Sequence, residues 1–229
     1  MSDHSENINM PFAVKDCALI TRMGGVDTAV NLRELRERIR VCPEACLFHH
    51  FMETLVRPSF DDPEFRNDFA VWSARYLRDR GLAEKLGILN PYKFDHLQQL
   101  REAVVEIIDD RLAELPYVPS VPKGDDFIFM QAATVVFDVG ISLDSPYQLR
   151  EAIPQMSYSS IYYHFIEARR RTEEKVDDFT AWCKGVEDGC EELVEAFKGI
   201  DFYYMTLPEL KATLIETIEP IRVKAEHER

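Results

Sequence analysis

The pattern with most chemical potential is His-x-x-Glu, present twice, as His50/Glu53 and His164/Glu167. A spacing of three puts each histidine and its glutamate on one helix face. Two such faces brought together, with Asp68 and Asp178 joining them, would make a two-histidine, multi-carboxylate cluster suited to a divalent metal. Di-iron helical bundles build such sites from Glu-x-x-His pairs and further glutamates, a role for which Glu37 and Glu151 are matched candidates. His50, Glu53, His164, Glu167, Asp68 and Asp178 are thus the candidate metal ligands. The ligand order is reversed from that of the bundles, however, and the pairs are embedded in aromatic residues. The competing expectation ranks first: each histidine packs within its own part of the chain and hydrogen-bonds Asp68 or Asp178. No cofactor is then expected, and a divalent metal is the alternative.

Other chemistry is thinly supported. Cys46 lies within helical reach of His49 and His50, but Ser160 and Tyr163 stand at the corresponding places beside His164, which argues against a repeated thiol nucleophile. Phe202-Tyr203-Tyr204 could stack a sugar or a base, yet Tyr203 aligns with Tyr92, so core or interface packing is expected. The chain contains no Gly-x-Gly-x-x-Gly, P-loop, Gly-x-Ser-x-Gly or His-Glu-x-x-His. The nucleotide, hydrolase and zinc-protease mechanisms that carry those signatures lack support.

Composition narrows the class. The 229 residues are 46% hydrophobic and 30% charged, which is globular composition, and the net charge of −14 opposes nucleic acid and anionic lipid. Arg169-Arg170-Arg171 runs against that trend, but Glu167, Glu173 and Glu174 flank it, so a solvated, ion-paired helix face is expected. The five cysteines form no C-x-x-C pair and read as reduced thiols, with Cys42 and Cys46 packing four residues apart. Met1 to Met10 has neither the basic start nor the apolar run of a signal peptide, and a cytoplasmic protein is expected.

Internal repetition decides the architecture. Leu35-Arg36-Glu37-Arg38-Ile39 aligns with Leu149-Arg150-Glu151-Ala152-Ile153 at an offset of 114, and seven of the nineteen positions from Leu35 to Glu53 are identical to those from Leu149 to Glu167. At that offset Arg57 falls on Arg171. After four extra residues in the first copy, Asp68-Phe69-Ala70-Val71-Trp72 aligns with Asp178-Phe179-Thr180-Ala181-Trp182, so both tryptophans occupy one slot. Asn90-x-Tyr92 then meets Asp201-x-Tyr203, and Leu97-x-x-Leu100-Arg101 meets Leu207-x-x-Leu210-Lys211. Upstream, Phe12 to Thr21 parallels Phe127 to Phe137, each followed by glycine (Gly24-Gly25 and Gly140).

Elements follow from period and punctuation. Phe127, Phe129 and Val135-Val136-Phe137 suit strands. Asn31 caps a helix carrying Leu32, Leu35 and Ile39, and Ser145-Pro146 starts its counterpart. The apolar residues Leu97, Leu100, Val104, Ile107 and Ile108, like Leu207, Leu210, Leu214 and Ile218, keep helical spacing. The expected fold is α+β and predominantly helical, an internal duplication of a unit of one or two strands and about four helices, with a pseudo-twofold relation. Units are expected over 12–115 and 126–223, joined by a linker at 116–125 where Pro119, Pro122 and Gly124 cluster, with flexible ends at 1–11 and 224–229.

Two phrases add a resemblance: Ser160 to Arg169 with Asp178-Phe179-x-x-Trp182, and Asn67-Asp68-Phe69-Ala70-x-Trp72 with Leu82-Ala83-Glu84-Lys85-Leu86. Through them nearly the whole chain resembles the uncharacterised prokaryotic domain-of-unknown-function family 5752. The resemblance implies a duplicated helical protein with no assigned activity, and it transfers no catalytic residue. The expected function is that of a non-catalytic binding, regulatory or scaffolding protein whose partner is a protein or a small ligand, not nucleic acid or membrane. Homodimerisation is compatible with it, and the alternative is a metal-binding protein or metal-dependent enzyme.

Overall fold

The computed structural model describes residues 10–55, 64–186 and 190–221. Strand β1 (Phe12–Met23) is followed by helices α1 (Leu32–Val41) and α2 (Glu44–Met52), a 3-10 turn at Glu53–Leu55, and helices α3 (Asp68–Arg75), α4 (Arg80–Gly87) and α5 (Leu97–Glu114). Strand β2 (Met130–Leu143) opens the second half. It leads to α6 (Leu149–Gln155), then to α7 (Tyr158–Ile161), a π-helical turn at Tyr162–Glu167 and α8 (Ala168–Arg171) in unbroken succession. Helices α9 (Asp178–Lys184), α10 (Glu191–Lys198) and α11 (Leu207–Ile218) complete the order. The fold is α+β and predominantly helical, with β1 and β2 forming one two-stranded antiparallel sheet. No helix among the described residues is long and apolar enough to cross a membrane.

The chain divides into two compact units, each described here by itself. The first is Leu19–Thr134, and the second combines the chain up to Ala18 with the chain from Val135 onward. Both boundaries fall inside strands. This differs from the division expected at the prolines, because residues 116–125 are docked and not a spacer: the Leu32 N–H donates to the Pro119 carbonyl at 3.1 Å and the Val121 N–H to the Val30 carbonyl at 2.8 Å. Proline removes its own donor but leaves its carbonyl and its neighbours' amides available for such bonds. Of the ends expected to be loose, 1–9 and 224–229 lie outside the described residues.

In the first unit, α1 starts where expected, with the Glu34 N–H donating to the Asn31 side chain at 2.8 Å. Leu32, Leu35 and Ile39 are fully buried and pack with Leu47, Phe69 and Leu100. Phe127 and Phe129 join this core from just before β2. Regular strand begins only at Met130, because Phe127 is held in an isolated bridge with Ala29. In the second unit Ile153, Ile161, Phe165, Phe179, Phe197 and Leu214 are fully buried. Thr206 and Glu209 form the capping box that starts α11.

Aligned residues take similar local positions in several places. Arg101 of α5 donates to the Ile39 carbonyl near the end of α1, and Lys211 of α11 donates to the Met156 carbonyl just after α6, at 2.6 Å. Both cations sit at helix C-termini, where the dipole favours positive charge. Gly25 and Gly140 both have positive φ, +79° and +76°, a conformation that a side chain at either position would strain.

Candidate functional site

His50 lies near the end of α2, 3% exposed. Its Nε2 accepts from the Met130 backbone N–H at 2.9 Å, and its Nδ1 is 2.6 Å from Asp68 Oδ2. A backbone N–H can only donate, so Nε2 carries the lone pair, and the ring hydrogen sits on Nδ1 and is donated to Asp68. Asp68 is the first residue of α3, where the helix dipole favours a carboxylate, and the side chain of Asn67 caps that helix by accepting from the Ala70 N–H at 2.9 Å. Phe127 packs 4.9 Å from the imidazole and stacks on Phe69 at the same distance, with an interplanar angle of 18°. Trp72 Nε1–H donates to the Asp125 carbonyl at 2.7 Å. The extended segment Asp125–Met130 is thereby held by an indole at one end and an imidazole at the other, with Phe127 sunk between them.

The second unit builds the same clamp from other residues. His164, 2% exposed, accepts from the Lys15 N–H at 2.9 Å through Nε2, and its Nδ1 is 2.8 Å from Asp178 Oδ2. Asp178 is the first residue of α9, capped by Asp177, which accepts from the Thr180 N–H at 2.8 Å. Burial raises the Asp177 pKa, against hydrogen bonds from Thr180 and the charge of Arg169. Phe12 packs 4.8 Å from His164, 5.1 Å from Trp182 and 5.6 Å from Phe179. Trp182 Nε1–H donates to the Met10 carbonyl at 3.0 Å. The guest residues Met10, Phe12 and Lys15 each stand 115 positions before Asp125, Phe127 and Met130.

The glutamates of the two motifs go elsewhere. Glu53 meets His49 and not His50, at 2.6 Å with both side chains 1% exposed. Glu167 accepts from Arg171, whose Nη2 also donates to Asp178 Oδ2 at 2.8 Å and whose guanidinium lies 4.1 Å from the centroid of the Tyr163 ring. Burial works against the Arg171 charge but is outweighed by the hydrogen bonds to Asp178 and Glu167, so its pKa is raised. The structure thus joins His50 to Asp68 and His164 to Asp178, with both nitrogens of each ring engaged. Among the described residues no group of three or more His, Cys, Asp or Glu is arranged to hold a metal ion. Glu37 lies 3.7 Å from Arg36 with its side chain 48% exposed, and Glu151 is exposed on α6. Arg57 lies outside the described residues.

The remaining candidates are structural. Cys46 is fully buried, its Sγ 3.6 Å from the Gly24 carbonyl, and burial pushes its pKa up to about 11, which leaves no thiolate for attack at neutral pH. All five cysteines are free and buried. Phe202 and Tyr203 are buried, while Tyr204 is exposed. In the arginine triplet Arg170 and Arg171 are exposed, as expected, and Arg171 is ion-paired, whereas Arg169 is half-buried: it lies over Phe165 and Phe202, at 4.9 and 4.6 Å from their ring centroids, and its Nη2 reaches Asp177 at 3.3 Å. What the sequence left unseen is the guest of each clamp. The contacts at Met10, Lys15, Asp125 and Met130 use backbone atoms, so side-chain identity carries no trace of them.

No curated protein matches the chain. The solved structure of OrfY from Thermoproteus tenax is similar to it in fold, with a TM-score of 0.76 and 24% identity over 91% of this chain and 94% of that one. Residues 9–219 match the family described as a family of unknown function, DUF5752. With nearly its whole length inside that match, the chain belongs to the DUF5752 family.

Proposed function

We propose that the protein is a non-catalytic, cytoplasmic binding, regulatory or scaffolding protein built from two copies of one strand-plus-helices unit. The observation that carries this reading is the engagement of both ring nitrogens of His50 and of His164, Nε2 by a backbone N–H of extended chain and Nδ1 by an aspartate. The repeated motif with chemical potential is spent on architecture. Duplication draws support from the five aligned blocks and from the likeness of the carbonyl contact that Trp72 makes to that of Trp182, and of the one that Arg101 makes to that of Lys211. Buried thiols, inert toward substrates, suit a reducing compartment. A charge of −14 directs the search for partners toward proteins and small ligands and away from polyanions.

Elemental analysis of the purified protein, with melting curves before and after a chelator, tests the reading. Metal content near zero and an unchanged Tm are expected. One metal per chain, lost on His50→Gln or His164→Gln, would replace this reading with the metal-dependent one.

A further inference from the structure

The groove in the second unit treats its guest as a ligand. It takes the Met10 carbonyl on Trp182, the Lys15 N–H on His164 and the Lys15 carbonyl on Ser160 Oγ, the last at 2.7 Å. Between these bonds Phe12 and Val14, alternate residues of an extended strand, are buried at 8% and 2% exposure. This guest reaches its unit from far away in sequence, because residues 19–134 all belong to the other unit. A guest donated by another chain would make the same contacts, with only the stretch of β1 after Ala18 changing course.

We propose that this groove also accepts residues 10–17 of a second copy of the chain, giving a strand-exchanged homodimer. Exchange of an identical element is a low-cost route to dimers, since every contact already exists in the monomer. Charge favours this occupant. Two chains of net charge −14 repel, but residues 10–17 carry one lysine and one aspartate and are neutral overall. The tethered strand competes at an effective concentration on the order of millimolar, so exchange grows as protein concentration rises or as the tethered strand is weakened. The proposal rests on His164 being a backbone clamp, and the two fail separately: metal content tests the clamp, strand transfer tests the exchange.

The experiment mixes two full-length chains with different tags. Both are otherwise unaltered, and native mass spectrometry is expected to show a mixed dimer whose share rises with concentration. A fluorescent peptide of residues 10–18 is then added to the full-length Phe12→Ala chain, whose own strand is weakened and whose groove is intact. It is expected to bind there at least about tenfold more tightly than to the unaltered chain, a bias of about 1.4 kcal/mol, and more weakly to a chain carrying both Phe12→Ala and His164→Gln. No mixed dimer at high concentration, or peptide binding no tighter to the Phe12→Ala chain, overturns the proposal. Should either variant fail to fold by circular dichroism, the unaltered chain is titrated with a fluorescent peptide of residues 10–18. Saturable binding, weakened at least about tenfold by Phe12→Ala in the peptide, supports the proposal. Equal binding of both peptides, or none, overturns it.

Discussion

Around His50 the glutamate three residues on turns toward the preceding histidine and leaves solvent altogether; around His164 its counterpart, also buried, pairs with the more exposed Arg171. The centres of the two sites agree: imidazole, aspartate at a helix start, phenylalanine guest and an indole bonded to a carbonyl. Their peripheries do not. His49 is replaced by Tyr163, whose ring carries the guanidinium, and the helix bearing His164 passes through a π turn where α2 gives way to a 3-10 turn. The shared centre serves the strand. π turns are frequent at functional sites, and this one brings Glu167, Arg171 and Asp178 together on the second clamp.

The tryptophans give the largest test of that comparison. Trp72 is 4% exposed whereas Trp182 is only partly buried, although the two occupy one aligned slot. Trp72→Ala should cost on the order of 3–5 kcal/mol and Trp182→Ala about half of that. Equal shifts in denaturant midpoint would erase the distinction. Next come the peripheral charges: His49→Ala leaves Glu53 alone in the core and should cost about 3 kcal/mol, whereas Arg171→Ala, at a more exposed pair, should cost about 1 kcal/mol. Chemical denaturation of both variants reads the difference, and a reversed order would break it.

The shared centre should respond alike in both units. His50→Gln and His164→Gln each disturb an acceptor for a buried N–H, at about 1–2 kcal/mol apiece. Amide exchange at Met130 and at Lys15 should quicken to similar extents, and a response confined to one site would show that the clamps are not equivalent. The smallest effect concerns Cys46. Its thiol is raised from 9.0 to about 11 in the folded protein, so the unfolded state loses this proton first, and the contribution is lost as pH rises from about 9 to about 11. Cys46→Ala should flatten that part of the alkaline stability profile, as followed by Tm against pH.

Much of this was legible in the residues. The helix start at Asn31, buried faces at helical spacing, and the pairing of each histidine with its aspartate all rest on side-chain type and local period, which a sequence displays. The crossing of the strands from unit to unit was not. Phe12 and Phe127 align well, but their alignment is silent on which helices receive them, because a strand carries the same hydrophobic pattern whether its host lies before or after it. The glutamates misled for a related reason. A spacing of three puts Glu53 beside His50, yet His49, four residues before Glu53, is an equally close helical neighbour, and the buried pair forms there.

The 149-residue separation between Lys15 and His164 has a consequence for biosynthesis. A ribosome adding about 5–20 residues per second needs roughly 7 to 30 s to travel between those two codons. Throughout that interval Phe12 and Val14 have left the decoding centre while the helices that will shelter them are still untranslated. Leu19–Thr134 is complete well before then and can collapse on its own schedule. The polypeptide is therefore threaded so that a segment emerging before Leu19–Thr134 finds its place only after that unit is made.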